Sequence, residues 1–285
     1  MTIRNPVVWT WDQVKQAAIS LDEAGHRDAG EAARSAHPLV RRIGLADIRY
    51  ALTKGVEDFN ADPTHYLFLC GLYPVVGLIL ARFASGAGVL QLVYPLAAGF
   101  ALLGPLAGIG IYEMSMRRER GLEVHWWNAF YVVRSPALGA VVKLGLTLAV
   151  IFVLWLVAAQ TIYRLILGVA PPVSAAAFLH TLFATAAGWG LIIVGNFVGF
   201  LFALLTLMLS VVSFQLILDR QVTAEIAIRT SIRAVLVSPG TMAIWGLVIA
   251  GGLALGSIPL LLGLALVFPV LGHASWHLYR RVVLP

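Results

Sequence analysis

Residues 117–145 read RRERGLEVHWWNAFYVVRSPALGAVVKLG. A basic cluster of Arg117, Arg118 and Arg120 comes first. Leu122, Trp126, Phe130 and Val133 follow at spacings of four, four and three, which predicts one face of an α-helix. Trp127 and Tyr131 widen that face with rings suited to a membrane–water boundary. Ser135 and Pro136 then predict a helix start. Serine can accept a hydrogen bond from a first-turn N–H, and proline loses nothing where its own N–H would have no helical partner. The chain beyond is apolar to about Gln160.

The same order recurs on both sides. Arg220 precedes Ile228, Ile232, Val235 and Leu236 at helical spacing, and Ser238-Pro239 opens the next apolar run. Arg41 and Arg42 precede Leu45, Ile48, Leu52, Val56 and Phe59, and Asp62-Pro63 opens another, aspartate being as good an N-cap as serine. Aligning Tyr112 with Phe214 also brings Leu122-Glu123-Val124 onto Ala224-Glu225-Ile226. Ser-Pro and Asp-Pro are common helix starts. Three in matching context imply an internal repeat whose units bury their faces on one another. The sequence therefore predicts an all-α, polytopic membrane helix bundle of six transmembrane helices. They form three parallel two-span repeats, about 41–112, 113–213 and 214–281, each preceded by a cytoplasmic amphipathic helix.

Composition agrees. The chain is 60% hydrophobic and 12% charged, with a mean hydropathy of +0.87. Charged residues make up about a quarter of an ordinary soluble domain. The net charge of +6 does not imply nucleic acid, because the basic residues flank apolar runs, where anionic lipids attract them. Membrane lipids are the expected partners, with a second membrane protein or another copy of this chain. Cys70 excludes an internal disulfide and reads as a small buried hydrophobe. Residues 1–40 read as a soluble cytoplasmic segment without a signal peptide. Thr10-x-x-Gln13 opens a short helix to about Ala24, anchored or docked through Trp9 and Trp11, and a polar linker follows from Gly25 to His37.

The expected spans are 64–83, 91–112, 137–159, 188–213, 240–255 and 259–279. Gly104-x-x-x-Gly108 and Gly195-x-x-x-Gly199 permit close helix packing. Arg164, Pro171-Pro172 and a run of small residues make 160–187 a loop with a short interfacial helix. Gly251-Gly252, Gly256 and Pro259 turn the last apolar stretch into a hairpin. Of the 20 Lys and Arg, only Arg82 and Arg164 fall on the side opposite the termini, and Lys143 lies within a span. That bias predicts cytoplasmic termini and an inner-membrane location.

Few side chains suggest chemistry. His273 and His277 are four apart on one helix face, as two ligands of a metal or one of a haem's pair would be, with His125 as a distant third. The simpler reading is an interfacial belt with Trp276, Tyr279 and Arg280. Lys143 is a charge inside a span, and its ammonium is expected to reach either a carboxylate such as Glu113 or the cytoplasmic boundary. Asn196, beside Gly195, is expected to hydrogen-bond a neighbouring helix. There is no glycine loop leading to a lysine, no His-Glu-x-x-His and no cysteine pair. No cofactor is implied, and the reading leans away from an enzyme. Three functions compete: a non-catalytic scaffold, assembly or accessory subunit, then a small-solute transporter or channel, then a metal- or haem-binding respiratory component.

Two stretches carry a family resemblance. Leu52-x-x-Gly55-x-x-Asp58-Phe59-x-x-x-Pro63, followed by Gly71 and Gly77, and the ending Pro269-Val-Leu-Gly-His273-Ala-Ser-Trp276-His277-Leu-Tyr279-Arg280, resemble a family of bacterial predicted integral membrane proteins of unknown function, the domain of unknown function 2189 type. The resemblance implies a membrane fold over about 40–282 and supplies no catalytic residues. Some members carry a cytochrome c oxidase-like label. That chemistry needs paired intramembrane histidines beyond those present here, so the label is not carried over.

Overall fold

Uninterrupted apolar runs favour helix, since a helix satisfies its own backbone polar groups in lipid. The computed structural model describes residues 38–61, 82, 90–170, 172, 174–259 and 261–285, and helices dominate throughout. Four stretches among them are long and apolar enough to cross a membrane: Leu90–Glu119, Leu138–Leu167, Ala186–Arg220 and Pro239–Ser257. The chain is an all-helical integral membrane protein. Residues 1–37, the Asp62-Pro63 helix start and the expected first span with Cys70 lie outside the described residues.

Helix α1 is Leu45–Ala61. The second apolar run is broken by single-turn 3-10 segments into α2 (Val93–Phe100), α3 (Gly104–Ala107) and α4 (Ile109–Glu119). An aromatic 3-10 segment, Trp126–Arg134, leads to α5 (Leu138–Leu167), α6 (Ala175–Ala184), α7 (Ala186–Ser210) and α8 (Ser213–Arg220). Then come α9 (Ala224–Val237), α10 (Pro239–Ser257) and α11 (Leu264–Val282). Helix α5 shows why these runs pack. Val141, Leu144, Leu148, Ile151, Trp155 and Ala159 recur every three to four residues and are buried, while Leu146, Val150, Val153 and Val157 on the other side are exposed. Helices α4, α8 and α11 meet at one end of the bundle, where Met114, Phe214, Leu216, Ile217, Trp276 and Tyr279 are fully buried.

The amphipathic segments differ from expectation in an informative way. Residues 122–125 are not helical and Gly121 takes φ +68°, so no single α-helix joins Leu122 to Val133. Residues 126–134 wind as a 3-10 helix, whose three-residue turn does not align a four-residue spacing. In α1 the buried residues are Asp47, Ile48, Ala51, Gly55, Asp58 and Phe59, whereas Leu45 is 63% and Val56 43% exposed. In α9 they are Ala224, Ala227, Thr230, Ser231, Ala234 and Val235, with Leu236 65% exposed. In the aromatic segment Asn128 is buried while Trp126, Trp127, Phe130 and Tyr131 are exposed. In the aromatic segment the bulky rings face outward. In α1 the small and polar residues share the buried face with Ile48 and Phe59, and in α9 with Val235, with Ile226 and Ile228 packing against the core and Leu236 outside. The small residues on these faces suit helices in lipid, where close approach needs small side chains.

Boundaries shift elsewhere. Ser135 Oγ accepts from the Ala137 N–H at 3.1 Å within a turn over Ser135-Pro136, and α5 begins two residues later at Leu138, with no side-chain cap on its N-cap Ala137. Pro239 is the first residue of α10, but Ser238 Oγ caps no N–H of that helix and accepts instead from Ile43 N at 3.1 Å. The third span runs on through Arg164 to Leu167, past the expected end, and the loop beyond holds the short helix α6, capped by Ser174. The hairpin forms between α10 and α11, where a Cβ on Gly263 would sit 2.7 Å from the Gly256 carbonyl oxygen. Gly199 lies against the Trp155 ring, while Gly195 faces open space, so only half of that motif packs closely.

Candidate functional site

The side chains with most chemical potential converge where α1, α4 and α11 cross. Gly55 makes the crossing. A Cβ there would lie 2.7 Å from Ala274 N and 2.8 Å from Ala274 Cβ, so the α1 and α11 backbones approach at a distance only glycine allows. One turn on, Asp58 is 8% exposed and enters the interface. Its Oδ2 lies 2.9 Å from His277 Nε2 and accepts from Ser115 Oγ at 3.2 Å. Ser115 Oγ is also 2.6 Å from His273 Nδ1. A hydroxyl has one proton. With that proton on Asp58, His273 must donate to Ser115 through Nδ1, and His277 donates to Asp58 through Nε2. The other Asp58 oxygen faces the Arg118 guanidinium at 4.0 Å. Phe59, Ile111 and Met114, backed by Phe268 and Val270, form an apolar cluster beside the group.

Burial alone would raise the Asp58 carboxyl's pKa. The His277 hydrogen bond and the positive charge of Arg118 oppose it, and the carboxyl is held below its usual range. Asp58 is therefore a carboxylate at neutral pH, clamped between the two ends of the chain.

Further clamps lie alongside. Asp47 Oδ1 takes Arg41 at 2.7 Å and Arg281 at 2.8 Å, while Oδ2 accepts the Gly44 N–H at 2.9 Å, as a third-position acid does at a helix start. Val40 and Val283 form an antiparallel bridge, with Arg41 N to Val282 O at 3.0 Å and Leu284 N to Leu39 O at 2.9 Å. Arg280 joins Glu119 at 3.0 Å to Asp219 at 3.2 Å, and Asp219 also binds Arg120 and the Tyr279 hydroxyl. Trp276 Nε1 donates to Glu119 at 3.0 Å.

These contacts correct several expectations. His273 and His277 do lie on one side of α11, but both turn to Asp58 and Ser115. Among the described residues no group of three or more His, Cys, Asp or Glu is arranged to hold a metal ion. The belt reading fails too, because Trp276 and Tyr279 are fully buried. His125 is remote from the pair and stacks on Trp127 at 4.3 Å. Lys143 does not reach Glu113. It pairs with Glu225 at the start of α9, holding that carboxyl below its usual range. Glu113 binds Arg117 at 2.9 Å. Asn196 accepts from the Tyr94 hydroxyl at 2.7 Å, so it does bond a neighbouring helix. Because both Lys143 and Glu225 are exposed, Lys143→Met is expected to shift unfolding in detergent by less than about 1 kcal/mol. A larger loss would mean that the pair is buried in the membrane.

Asp58, Ser115, Arg118, Glu119 and Asp219 escaped notice as site residues. Asp58 left one signal: with Ile48, Ala51 and Gly55 it falls at helical spacing on a face of small residues. Ser115 left none, as a lone serine between Glu113 and Arg117.

Residues 93–219 match a family described as "Predicted integral membrane protein (DUF2189)". The resemblance read from the sequence therefore holds over the stretch from α2 into α8. The Gly55/Asp58 and His273/His277 motifs lie outside the match. No curated protein and no solved structure matches the chain.

Proposed function

We propose that this integral membrane protein is a non-catalytic scaffold, assembly or accessory subunit, built as a closed ring of three two-span repeats in a bacterial inner membrane with both termini cytoplasmic. The observation that carries the reading is the order of contacts. The aromatic segment packs on α4, which begins at the close of the first unit, and α9 packs on α7, the last span of the second. Helix α1, in the first unit, packs on α11, the last helix of the third. At two joints the chain runs on covalently; at the third, Val40 and Val283 pair across the gap. A ring closed this way presents one basic, aromatic rim, which suits docking of a partner protein. Asp47, Asp58, Glu119, Asp219 and Glu225 each pair with a basic residue on another element, so these charges tie the bundle together rather than line a path for a solute. The alternative, a transporter, would use the polar pairs Tyr94–Asn196 and Gln91–Gln160.

Purification in mild detergent is expected to retain a second protein, or further copies of the chain, in fixed ratio. Solute flux in liposomes holding the lone protein would overturn the scaffold reading. Six spans with internal termini predict cytoplasmic reporter signals after residues 40, 125, 228 and 285 and external ones near 86 and 172. An external signal at 285 refutes the span count.

A further inference from the structure

We propose that the three amphipathic segments bind anionic phospholipid headgroups, so that the rim of the ring is a lipid-reading surface. The inference rests on the interfacial placement of those segments given above. Its first support is an imbalance of charge. Arg49 on α1, Arg134 on the aromatic segment, and Arg229 and Arg233 on α9 are exposed and have no carboxylate partner among the described residues. The acids nearby are already committed: Asp47 to Arg41 and Arg281, Glu57 to Lys54, Glu225 to Lys143. Each segment thus offers at least one guanidinium whose counter-ion must come from outside the fold.

The second support is where the apolar side chains point. Leu45 is 63% exposed, Phe130 58% and Leu236 65%, each on the same segment as one of these arginines. A solvated helix would turn such residues inward. Glycine, alanine, serine and asparagine take up much of the buried face, beside Ile48, Phe59 and Val235, and each outward face still sets at least one bulky apolar group beside an arginine. That is the composition of a helix lying in the headgroup boundary, with acyl chains against the apolar groups and phosphates on the guanidiniums. On α1, Leu45, Arg49 and Tyr50 share the outward face, with the Arg281 guanidinium stacked 5.0 Å from the Tyr50 ring centre.

The test compares the whole protein in neutral detergent after adding phosphatidylglycerol, phosphatidylcholine or inorganic phosphate. Lipid retained through gel filtration is counted by mass spectrometry, and thermal unfolding is followed on the same samples. Phosphatidylglycerol is expected to be retained and to raise the unfolding temperature, and the other two are not. Each Arg→Gln change among the four should weaken retention by roughly five-fold, and Arg→Lys should restore most of it. Equal retention of phosphatidylcholine overturns the proposal, and so does equal stabilisation by phosphate, which would assign the arginines to a soluble anion. The wild-type comparison decides the matter even where a variant folds poorly. The topology and co-purification experiments fail independently of it: a chain that binds no partner can still select anionic lipid.

Discussion

Replacing Gly55 with leucine is expected to unseat α1 from α11 and to cost at least about 3 kcal/mol of stability in detergent, the upper end for overpacking a tight interface. The cause is direct. The new Cβ would lie 2.7 Å from Ala274 N and 2.8 Å from the Val270 carbonyl oxygen, so it meets backbone as well as the Ala274 methyl. Backbone cannot rotate away as a side chain can. The helices must separate, and the contacts that depend on their approach go with them: Asp58 with His277, Asp47 with Arg281, and the Val40–Val283 bridge. A disulfide between Val40→Cys and Val283→Cys reads this out. It should form under mild oxidation with Gly55 in place and be lost with leucine there. Gly195→Ala is the matched control, since a Cβ at Gly195 meets nothing within 4 Å and alanine favours helix. Unchanged stability and an intact disulfide in the leucine variant would refute the close approach.

That contrast between two glycines marks what the sequence could disclose. Apolar length is a one-dimensional property, so the all-helical membrane class, the turn at Pro259, the helix start at Pro239 and, to within two residues, the one after Pro136 were readable. Helix faces were harder. A bulky apolar stripe reads as a buried face, because in water bulky apolar groups go inside. Lipid is itself an apolar solvent, so around a membrane helix bulky groups can face either way and small ones gain the close contacts. Leu45, Val56 and Leu236 point out, while Gly55, Ala227 and Ser231 point in. The aromatic segment was misread for a related reason: a spacing of four assumes 3.6 residues per turn, and Trp126–Arg134 winds more tightly. The site was half legible. His273 and His277 were placed on one side of α11 by spacing alone, but their partners Asp58 and Ser115 lie 219 and 158 residues away from the histidines they contact. Pairing over that distance follows from the meeting of α1 with α11, which no local pattern encodes.

Asp58 carries the second large effect. Asp58→Leu removes the acceptor of both the His277 and Ser115 hydrogen bonds and the anion facing Arg118. Breaking a buried, hydrogen-bonded charge group by deleting one member costs about 3–5 kcal/mol, because the remaining groups stay desolvated. Asp58→Asn keeps one acceptor oxygen without the charge, and its loss should be about 1–2 kcal/mol. The two variants also differ from wild type in pH dependence. The folded protein holds the Asp58 carboxyl below its ordinary value of 3.8, despite the opposing effect of burial. A depressed folded value means that this contribution is fully present above the unfolded pKa and disappears as pH falls through the lower folded one. Wild type should therefore lose stability on acidification below about pH 4, while both variants, having no such proton to bind, should show a shallower acid limb over that interval. Chemical unfolding of the three proteins in detergent, from pH 7 down to about pH 3, measures both quantities. If Asp58→Asn matches wild type at pH 7 and follows the same acid limb, Asp58 is not the ionised centre of the clamp, and the joint between the first and last helices rests on Gly55 and Asp47 instead.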